Sequence, residues 1–184
     1  MMPLAVRRRT ARHRRAAAYW GVILAVSLSL WLGASLSPAP WLHMTALFAH
    51  LGSVIIGLGA AVVLEFTGLL WVTDRRSLDE LISNESLVSL VAWAGIFGLL
   101  GSGALLQPNL SDPGTVVKMT AVLIVAMNGV AMTRLTNELR RLPPGVRFAA
   151  IPRGLKLWCV WSAAVSQLCW WTAVIIGMLN TASG

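Results

Sequence analysis

Five long apolar runs follow one another along the chain, and each is close to or above the ~20 residues that a helix needs to cross the hydrocarbon core of a membrane. None of them contains an internal proline. A span must satisfy its own backbone hydrogen bonds in lipid, so each run is predicted to be a helix. The pattern therefore predicts an all-α fold, a polytopic integral membrane bundle of five transmembrane helices. The runs are 17–36, 41–73, 87–106, 115–134 and 157–181.

The basic residues lie in alternate connections between these runs. Six precede the first run, two follow the second, and six lie from Arg134, the last residue of the fourth run, to the start of the fifth run. The connections on the other side, "SPAP" (37–40) and "QPNLSDPG" (107–114), contain none. Because cytoplasmic loops carry an excess of lysine and arginine, we predict five crossings with the N-terminus in the cytoplasm and the C-terminus outside.

This topology divides the chain into three parts. Residues 1–16 form a basic cytoplasmic tail, 17–181 a single transmembrane bundle, and 182–184 a short external end. Within the bundle, segments 74–86 and 135–156 are predicted cytoplasmic loops. The first apolar run is longer than the 7–15 residues of a signal-peptide core, so we expect an uncleaved anchor. The predicted location is the cytoplasmic (inner) membrane of a bacterium, crossed several times.

Composition agrees with a membrane protein and narrows its partners. The chain is 57% hydrophobic and 12% charged, whereas a soluble domain carries about 25% charged residues. A net charge of +8 is compatible with nucleic acid, but its confinement to one side of the predicted bundle indicates anionic lipid headgroups instead. We therefore expect the lipid bilayer as the main partner and no nucleic acid. A membrane-protein partner or a homo-oligomer is left open.

Small residues form stripes that predict close helix packing. The third run carries Gly95, Gly98, Gly101 and Ala104 at three-residue steps. The fifth run carries a similar face, made of Cys159, Ser162, Ser166, Cys169, Ala173, Gly177 and Asn180. We expect both stripes to face other helices of one compact bundle.

The stretch "HMTALFAHLGSVIIGLGAAVVLEF" (43–66) places two histidines and a glutamate in an apolar run. His43 and His50 are seven residues apart and share one helix face with Ala46, Ser53, Gly57 and Ala60. Such a stripe is predicted to face the bundle interior. His50 lies ~13 Å past Trp41 along the helix, so it should be neutral and hydrogen-bonded, or a ligand. His43 is within a turn of the boundary and is expected to stay hydrated.

Four further polar residues lie inside the predicted spans. Glu65 is either at the inner boundary or, if the helix is shifted inward, within the hydrocarbon core. Lys118 is one turn inside the fourth run, where its side chain can reach back to the interface. Asn128 and Gln167 lie deeper, where each can form an interhelical hydrogen bond worth ~0.6 kcal/mol.

The outer half of the predicted bundle offers donors for a redox metal. His43, Met44 and His50, with Met119 from another span, combine imidazole and thioether, which copper accepts. For haem, the two histidines are ~10.5 Å apart along one helix and cannot both bind one iron. A haem held by one histidine, or by histidine and methionine, stays open. No known catalytic motif occurs in a suitable context, so whether the protein is an enzyme is also left open.

Residues ~44–180 loosely resemble the four-helix membrane domain of the copper-resistance D type. The similar segments are "AHLGSVIIGLGAAVVLEF", a histidine before a glycine-rich helix, and "VVKMTAVLIVAMNGVAMTRL", with an early lysine, a deep asparagine and a closing arginine. The resemblance implies copper or haem handling with His50 as the matching ligand. The alternative hypothesis is a non-catalytic membrane subunit or small transporter component, in which His50, Glu65 and Asn128 pack the bundle or relay protons.

Overall fold

The structure is a computed structural model that describes residues 4–182, with side chains for residue 10 and residues 12–180. All five of its long helices are long and apolar enough to cross a membrane. The described residues contain no strand, and a single 3-10 turn, Phe148–Ala150, lies between the last two helices. The prediction of an all-α fold with five such helices is therefore confirmed. The helices are α1 (Leu4–Ser35), α2 (Pro40–Val72), α3 (Leu78–Leu105), α4 (Pro113–Leu139) and α5 (Arg153–Ala182).

Several helices extend beyond the apolar runs that predict them. The described part of the predicted basic tail is helical from residue 4, and the predicted loops 74–86 and 135–156 shorten to 73–77 and 140–152. Hydropathy marks only where a chain is apolar, whereas capping decides where a helix begins. At the start of α3 the Ser77 side chain accepts from the Glu80 N–H, and Asp79 and Glu80 lie in the first turn, where negative charge is favourable.

Helices α2 and α3 pack antiparallel and in backbone contact. A methyl group built on Gly95 would overlap the backbone of Gly57, and one built on Gly98 would overlap the Ser53 hydroxyl. The predicted inward stripe of α2 is largely confirmed, since Ala46, Gly57 and Ala60 are buried and His50 and Ser53 half-buried, while its first member, His43, is exposed.

The predicted stripe on α3 is wrong at Gly101, which is exposed and faces open space. An α-helix turns by about 100° per residue, so each three-residue step rotates the position by about 60°. Two steps beyond Gly95 the side chain no longer faces α2. The buried residue at that level is Ser102, which continues the contact surface after Gly98.

Helices α4 and α5 form a second antiparallel pair joined by polar side chains. Asn128 Nδ2 donates to the Ser162 carbonyl at 2.8 Å, and the Ser162 hydroxyl donates back to Asn128 Oδ1 at 2.7 Å. Ser162 is only 1% exposed. Every member of the predicted α5 stripe is buried or half-buried, so this prediction is confirmed. Asn128 and Ser162 thus join the two helices.

Contacts between connections define two ends of the bundle. Arg140 forms an ion pair with Glu85 at 3.4 Å, and the Gly145 N–H donates to Asp79. Connection 140–152 therefore contacts the first turns of α3, which follow connection 73–77. This end, together with the start of α1, is called the basic end. At the opposite end, connection 36–39 meets connection 106–112, where Gln107 Nε2 donates to the Leu36 carbonyl at 2.7 Å.

Helix α1 packs on α3 and α4 and completes the bundle. Its Ser29 hydroxyl, which is buried, donates to the Leu100 carbonyl of α3 at 2.6 Å. Near the opposite end, a methyl group added to Gly33 would press on Pro108. Residues Val22 and Val26 join the main apolar core that α3, α4 and Trp170 of α5 build at mid-height. All five helices thus contribute to one interior.

Candidate functional site

A small cavity lies inside the opposite end of the bundle. Its volume is about 90 Å³, and all five helices contribute to its walls. At ~30 Å³ per molecule, this space has room for about three waters. Leu106 and Pro108 of the connection between α3 and α4 line it on the side nearest the bundle surface. Its walls include four polar or sulfur-containing side chains, which are Ser29, His50, Lys118 and Met119.

Hydrogen bonds determine the protonation pattern of His50. Its Nδ1 lies 3.0 Å from Ser102 Oγ, and the Ser102 hydroxyl donates to the Gly98 carbonyl at 2.5 Å. Because the hydroxyl proton is already used, Ser102 Oγ accepts and Nδ1–H donates. The neutral imidazole therefore keeps its lone pair on Nε2. That nitrogen is the one that can accept a proton or bind a metal ion.

The packing of α2 on α3 also places His50 along the bundle axis. Ser102, its partner, is three residues, or ~4.5 Å, before the end of α3 at Leu105. Lys118 is five residues, or ~7.5 Å, into α4. The site is therefore nearer the opposite end than the ~13 Å counted from Trp41 predicts, because the first turns of α2 extend past the end of α3.

A polar cluster surrounds the start of α4, just outside the cavity. Asp112 caps this helix, and its Oδ2 accepts from the Thr115 N–H at 2.7 Å and the Thr115 hydroxyl at 2.9 Å. Asn180 of α5 donates to the same oxygen at 3.2 Å. The hydrogen bonds from Thr115 hold the pKa of Asp112 below its usual range. The resulting carboxylate attracts the Lys118 ammonium group electrostatically.

Lys118 itself is half-buried and lines the cavity. Its aliphatic chain runs along Gly177 of α5, since a methyl group on that glycine would lie 4.0 Å from Lys118 Cδ. The sequence predicts only that this side chain reaches back toward the membrane boundary. Its position near the Asp112 carboxylate agrees with that expectation. The sequence does not predict that Lys118 also lines a cavity together with His50.

Glu65 forms a separate polar group nearer the basic end. Its carboxyl group faces the Ser166 and Gln167 side chains of α5, and the Gln167 side-chain amide oxygen accepts from the Trp171 indole N–H at 3.0 Å. Glu65 is seven residues, ~10.5 Å, before the end of α2. Its partners lie near the middle of α5. Of the two predicted positions for Glu65, these contacts favour the deeper one.

An apolar layer separates the two polar groups. Gly57 lies between His50 and Glu65 on α2, and a methyl group built there would be within 2.5 Å of the Trp170 ring. Trp170 is 3% exposed and belongs to the main apolar core. His50 and Glu65 are fifteen residues apart, which corresponds to ~22 Å of helix.

The predicted metal donors are only partly brought together. His50 and Met119 line the same cavity, whereas His43 is exposed and Met44 is 55% exposed. Residues 4–182, as far as they are described, contain no group of three or more His, Cys, Asp or Glu side chains that could hold a metal ion. A copper site formed by this chain would therefore start from two donors, His50 and Met119, with the Lys118 ammonium group beside them.

The residues do not fit a haem group. A cavity of about 90 Å³ is well below the ~300–1,000 Å³ of pockets that hold such ligands. A larger groove of about 490 Å³ lies between α1, α3 and α4, but its described lining contains no histidine, cysteine or methionine to bind the iron. The groove therefore has more space but no axial ligand for haem, whereas the cavity has a histidine but is too small.

Several residues of the site are not among the sequence-based candidates. Asp112 could have been recognised, because "DPGT" combines an N-cap residue with proline at the first helical position. Ser102 and Ser29 have no such signal, since their roles depend on how α2 and α1 align with α3. Asn128 and Gln167, which are among the candidates, bind partners away from the cavity.

Comparison with protein families, curated proteins and solved structures finds no match for this chain. The resemblance to the copper-resistance D type therefore stays a prediction.

Proposed function

We propose that the chain is a multi-pass protein of the bacterial inner membrane, with its basic end in the cytoplasm and the His50 cavity toward the outside. The support is the distribution of charge. The start of α1, the two connections at the basic end and the helix turns beside them carry most of the lysines and arginines, and such residues favour the cytoplasmic side. Anionic headgroups would then contact connection 140–152 at that end.

Within the membrane, we propose that the protein handles protons, as a small transporter component or as a subunit of a larger assembly. The single observation that carries this proposal is that His50 and Lys118 line one small cavity. Two basic nitrogen groups in a confined space of low dielectric constant repel each other when both are charged. The pair therefore favours holding one proton at a time, and water in the cavity can pass that proton between them.

Glu65 supplies a second proton-binding group, nearer the basic end. Ionisable residues inside membrane helices commonly mark proton relays. The apolar layer at Gly57 and Trp170 separates the two groups, so transfer between them requires movement of helices or a partner protein. The site thus binds and releases protons separately toward the two sides.

Proton flux into vesicles tests this function. The full chain is reconstituted into liposomes containing a trapped pH-sensitive dye, and a pH step is applied. We expect faster equilibration than in empty vesicles, and loss of that excess in His50→Leu. His43→Leu, which changes the same residue type at an exposed position of the same helix, should behave as wild type. Equal flux in the two variants would contradict the proposal.

A spectroscopic measurement tests the site without requiring flux. Nitrogen NMR of histidine-labelled protein distinguishes the two neutral tautomers. We expect His50 to carry its proton on Nδ1, and Ser102→Ala to remove this preference. In Lys118→Met the pH at which the His50 signal titrates should change. An unchanged His50 titration would show that the two groups do not share a proton.

Copper(I) binding is the second candidate function, and one observation favours it. His50 and Met119 line the same cavity, and a metal-binding histidine commonly donates its other nitrogen to a fixed acceptor, as His50 does to Ser102. Metal analysis of purified protein titrated with copper(I) tests it. His50→Leu and Met119→Leu should each reduce binding, and Lys118→Met should increase it. Absence of bound copper in wild type would exclude this candidate.

A further inference from the structure

A broad apolar groove runs along the outside of the bundle between α1, α3 and α4. Its volume is about 490 Å³. Helix α1 contributes small residues such as Gly21 and Ala25, while α3 contributes the aromatic side chains of Trp93 and Phe97. A methyl group added to Gly21 would meet no atom within 4 Å. The groove is therefore space that the described part of the chain does not fill with its own side chains.

The groove ends near positive charge. Ala18 of α1 and Thr133 of α4 line it on the side of the basic end. Arg14 and Arg15 precede Ala18 by about one helical turn, so they continue the same face of α1 beyond the groove. Arg14 is exposed and Arg15 half-buried. The apolar groove therefore ends beside the guanidinium groups of Arg14 and Arg15 and the hydroxyl of Thr133.

We propose that this groove binds one anionic phospholipid. An acyl chain lies along Gly21 and Ala25, and the phosphate binds Arg14 and Arg15. The volume falls within the ~300–1,000 Å³ of ligand pockets, and guanidinium groups bind phosphate through paired hydrogen bonds. Charge decides between occupants. The helix of a second copy would fill the apolar part but bring more basic residues to the two arginines, whereas an anionic lipid fills the apolar part and brings a negative charge.

Native mass spectrometry of the full chain in a neutral detergent tests this site. Phosphatidylglycerol and phosphatidylcholine with identical acyl chains are the two probes. We expect phosphatidylglycerol to be retained preferentially as a single bound molecule. Arg14→Gln combined with Arg15→Gln should weaken that binding about thirtyfold, from the stabilisation expected of two basic residues near an anionic headgroup. Retention of phosphatidylcholine should not change.

A second variant tests the apolar part of the site. Gly21→Leu fills the groove without a clash at its first side-chain atom, and we expect it to reduce retention of both lipids. Ser27→Leu is its control, because Ser27 is exposed and lies on the opposite face of α1. For the charge variant, the control is Arg75→Gln combined with Arg153→Gln, which removes the same charge from the basic end away from the groove.

Three outcomes would overturn the proposal. The first is equal retention of the two lipids by wild type, and the second is equal loss of phosphatidylglycerol in the charge variant and its control. The third is a wild-type dimer that Gly21→Leu converts to a monomer without any change in bound lipid. In that case the groove holds a second copy of the chain.

Discussion

At the scale of single residues, the interior polar side chains find their partners mainly on other helices. His50 binds Ser102 of α3, and Asn128 binds Ser162 of α5. A polar group without a partner would be costly in hydrocarbon, so each pair favours one alignment of its two helices. Polar residues therefore specify register in this bundle as well as offering chemistry.

Replacing Asn128 tests how much one such pair contributes. Asn128→Leu removes both hydrogen bonds to Ser162, and at ~0.6 kcal/mol for each bond we expect a loss of about 1 kcal/mol in the free energy of unfolding. Unfolding in mixed detergent micelles measures it. Asn137→Leu is the control, because Asn137 is exposed on the same helix. A similar loss in both variants would argue against the interhelical role of Asn128.

Asp112 should make the stability of the opposite end depend on pH. Its folded-state pKa lies below the ordinary value because the charged carboxylate accepts hydrogen bonds from Thr115. A depressed folded pKa stabilises the fold above the unfolded pKa of ~3.9, and this contribution is lost as the pH falls through the folded value. The thermal unfolding midpoint of wild type should therefore fall on acidification by more than that of Asp112→Asn.

Asparagine is an equally good helix N-cap, so Asp112→Asn should retain most of the stability at neutral pH while losing the pH dependence. Asp74→Asn makes the same chemical change at the basic end, where the left-handed backbone (φ 55°) also accepts asparagine. Circular dichroism across a pH series compares the three proteins. If Asp74→Asn removed as much pH dependence as Asp112→Asn, the assignment to the α4 cap would be wrong.

At the scale of helices, the bundle is held by two close pairs of different chemistry. The α2–α3 pair uses backbone contact between Gly57 and Gly95, whereas the α4–α5 pair uses hydrogen-bonded side chains. Lipid tails are as apolar as leucine, so membrane helices associate through close packing and polar contacts rather than through the hydrophobic effect. The α2–α3 pair associates by close packing, and the α4–α5 pair associates by polar contacts.

The glycine contact predicts a large effect from a very small change. Gly95→Ala forces α2 and α3 apart, and overpacking of this kind costs about 1–3 kcal/mol. Gly101→Ala, six residues on, adds the same methyl group to open space and should leave the free energy of unfolding unchanged or raise it. Detergent unfolding of both variants gives the comparison. Equal destabilisation would mean that the α2–α3 backbone contact is not formed.

At the scale of the whole molecule, the alternation of helix directions and the distribution of charge agree. At the basic end, contacts join connection 140–152 to the first turns of α3, and at the other end they join the uncharged connection 36–39 to the acidic connection 106–112. The fold therefore provides two chemically distinct ends, as expected of a chain whose orientation is determined by basic residues.

Reporter fusions test the proposed orientation. A reporter that is active only outside the cytoplasm should be active when fused after Asp112 or Gly184 and silent after Arg76 or Arg147. Removing the N-terminal arginines should give mixed or inverted orientation, since they orient the first span by charge. Activity after Arg147 would contradict the proposed five crossings.

The sequence predicts the helices well because hydropathy is a local property of each segment. It predicts the contacts less well because the alignment of one helix with another depends on the whole bundle. The five runs follow from hydropathy, and the α5 stripe follows from the spacing of small residues. Gly101 is assigned to the wrong face because a three-residue repeat drifts around the helix, and the depth of His50 depends on the end of α3, a different helix. The pairing of His50 with Ser102 and Lys118 could be seen only after all five helices were assembled.

The apolar layer at Gly57 and Trp170 has an electrical consequence. In the proposed orientation this section, ~22 Å of helix, excludes water and ions, so most of the transmembrane voltage falls across it. Moving one elementary charge through the full potential corresponds to about 2.3 kcal/mol per 100 mV. A proton passing from the His50 side to the Glu65 side would meet nearly all of that energy in one step, past the Trp170 ring. Voltage would then act on this step, while proton binding in the cavity itself stayed almost independent of it.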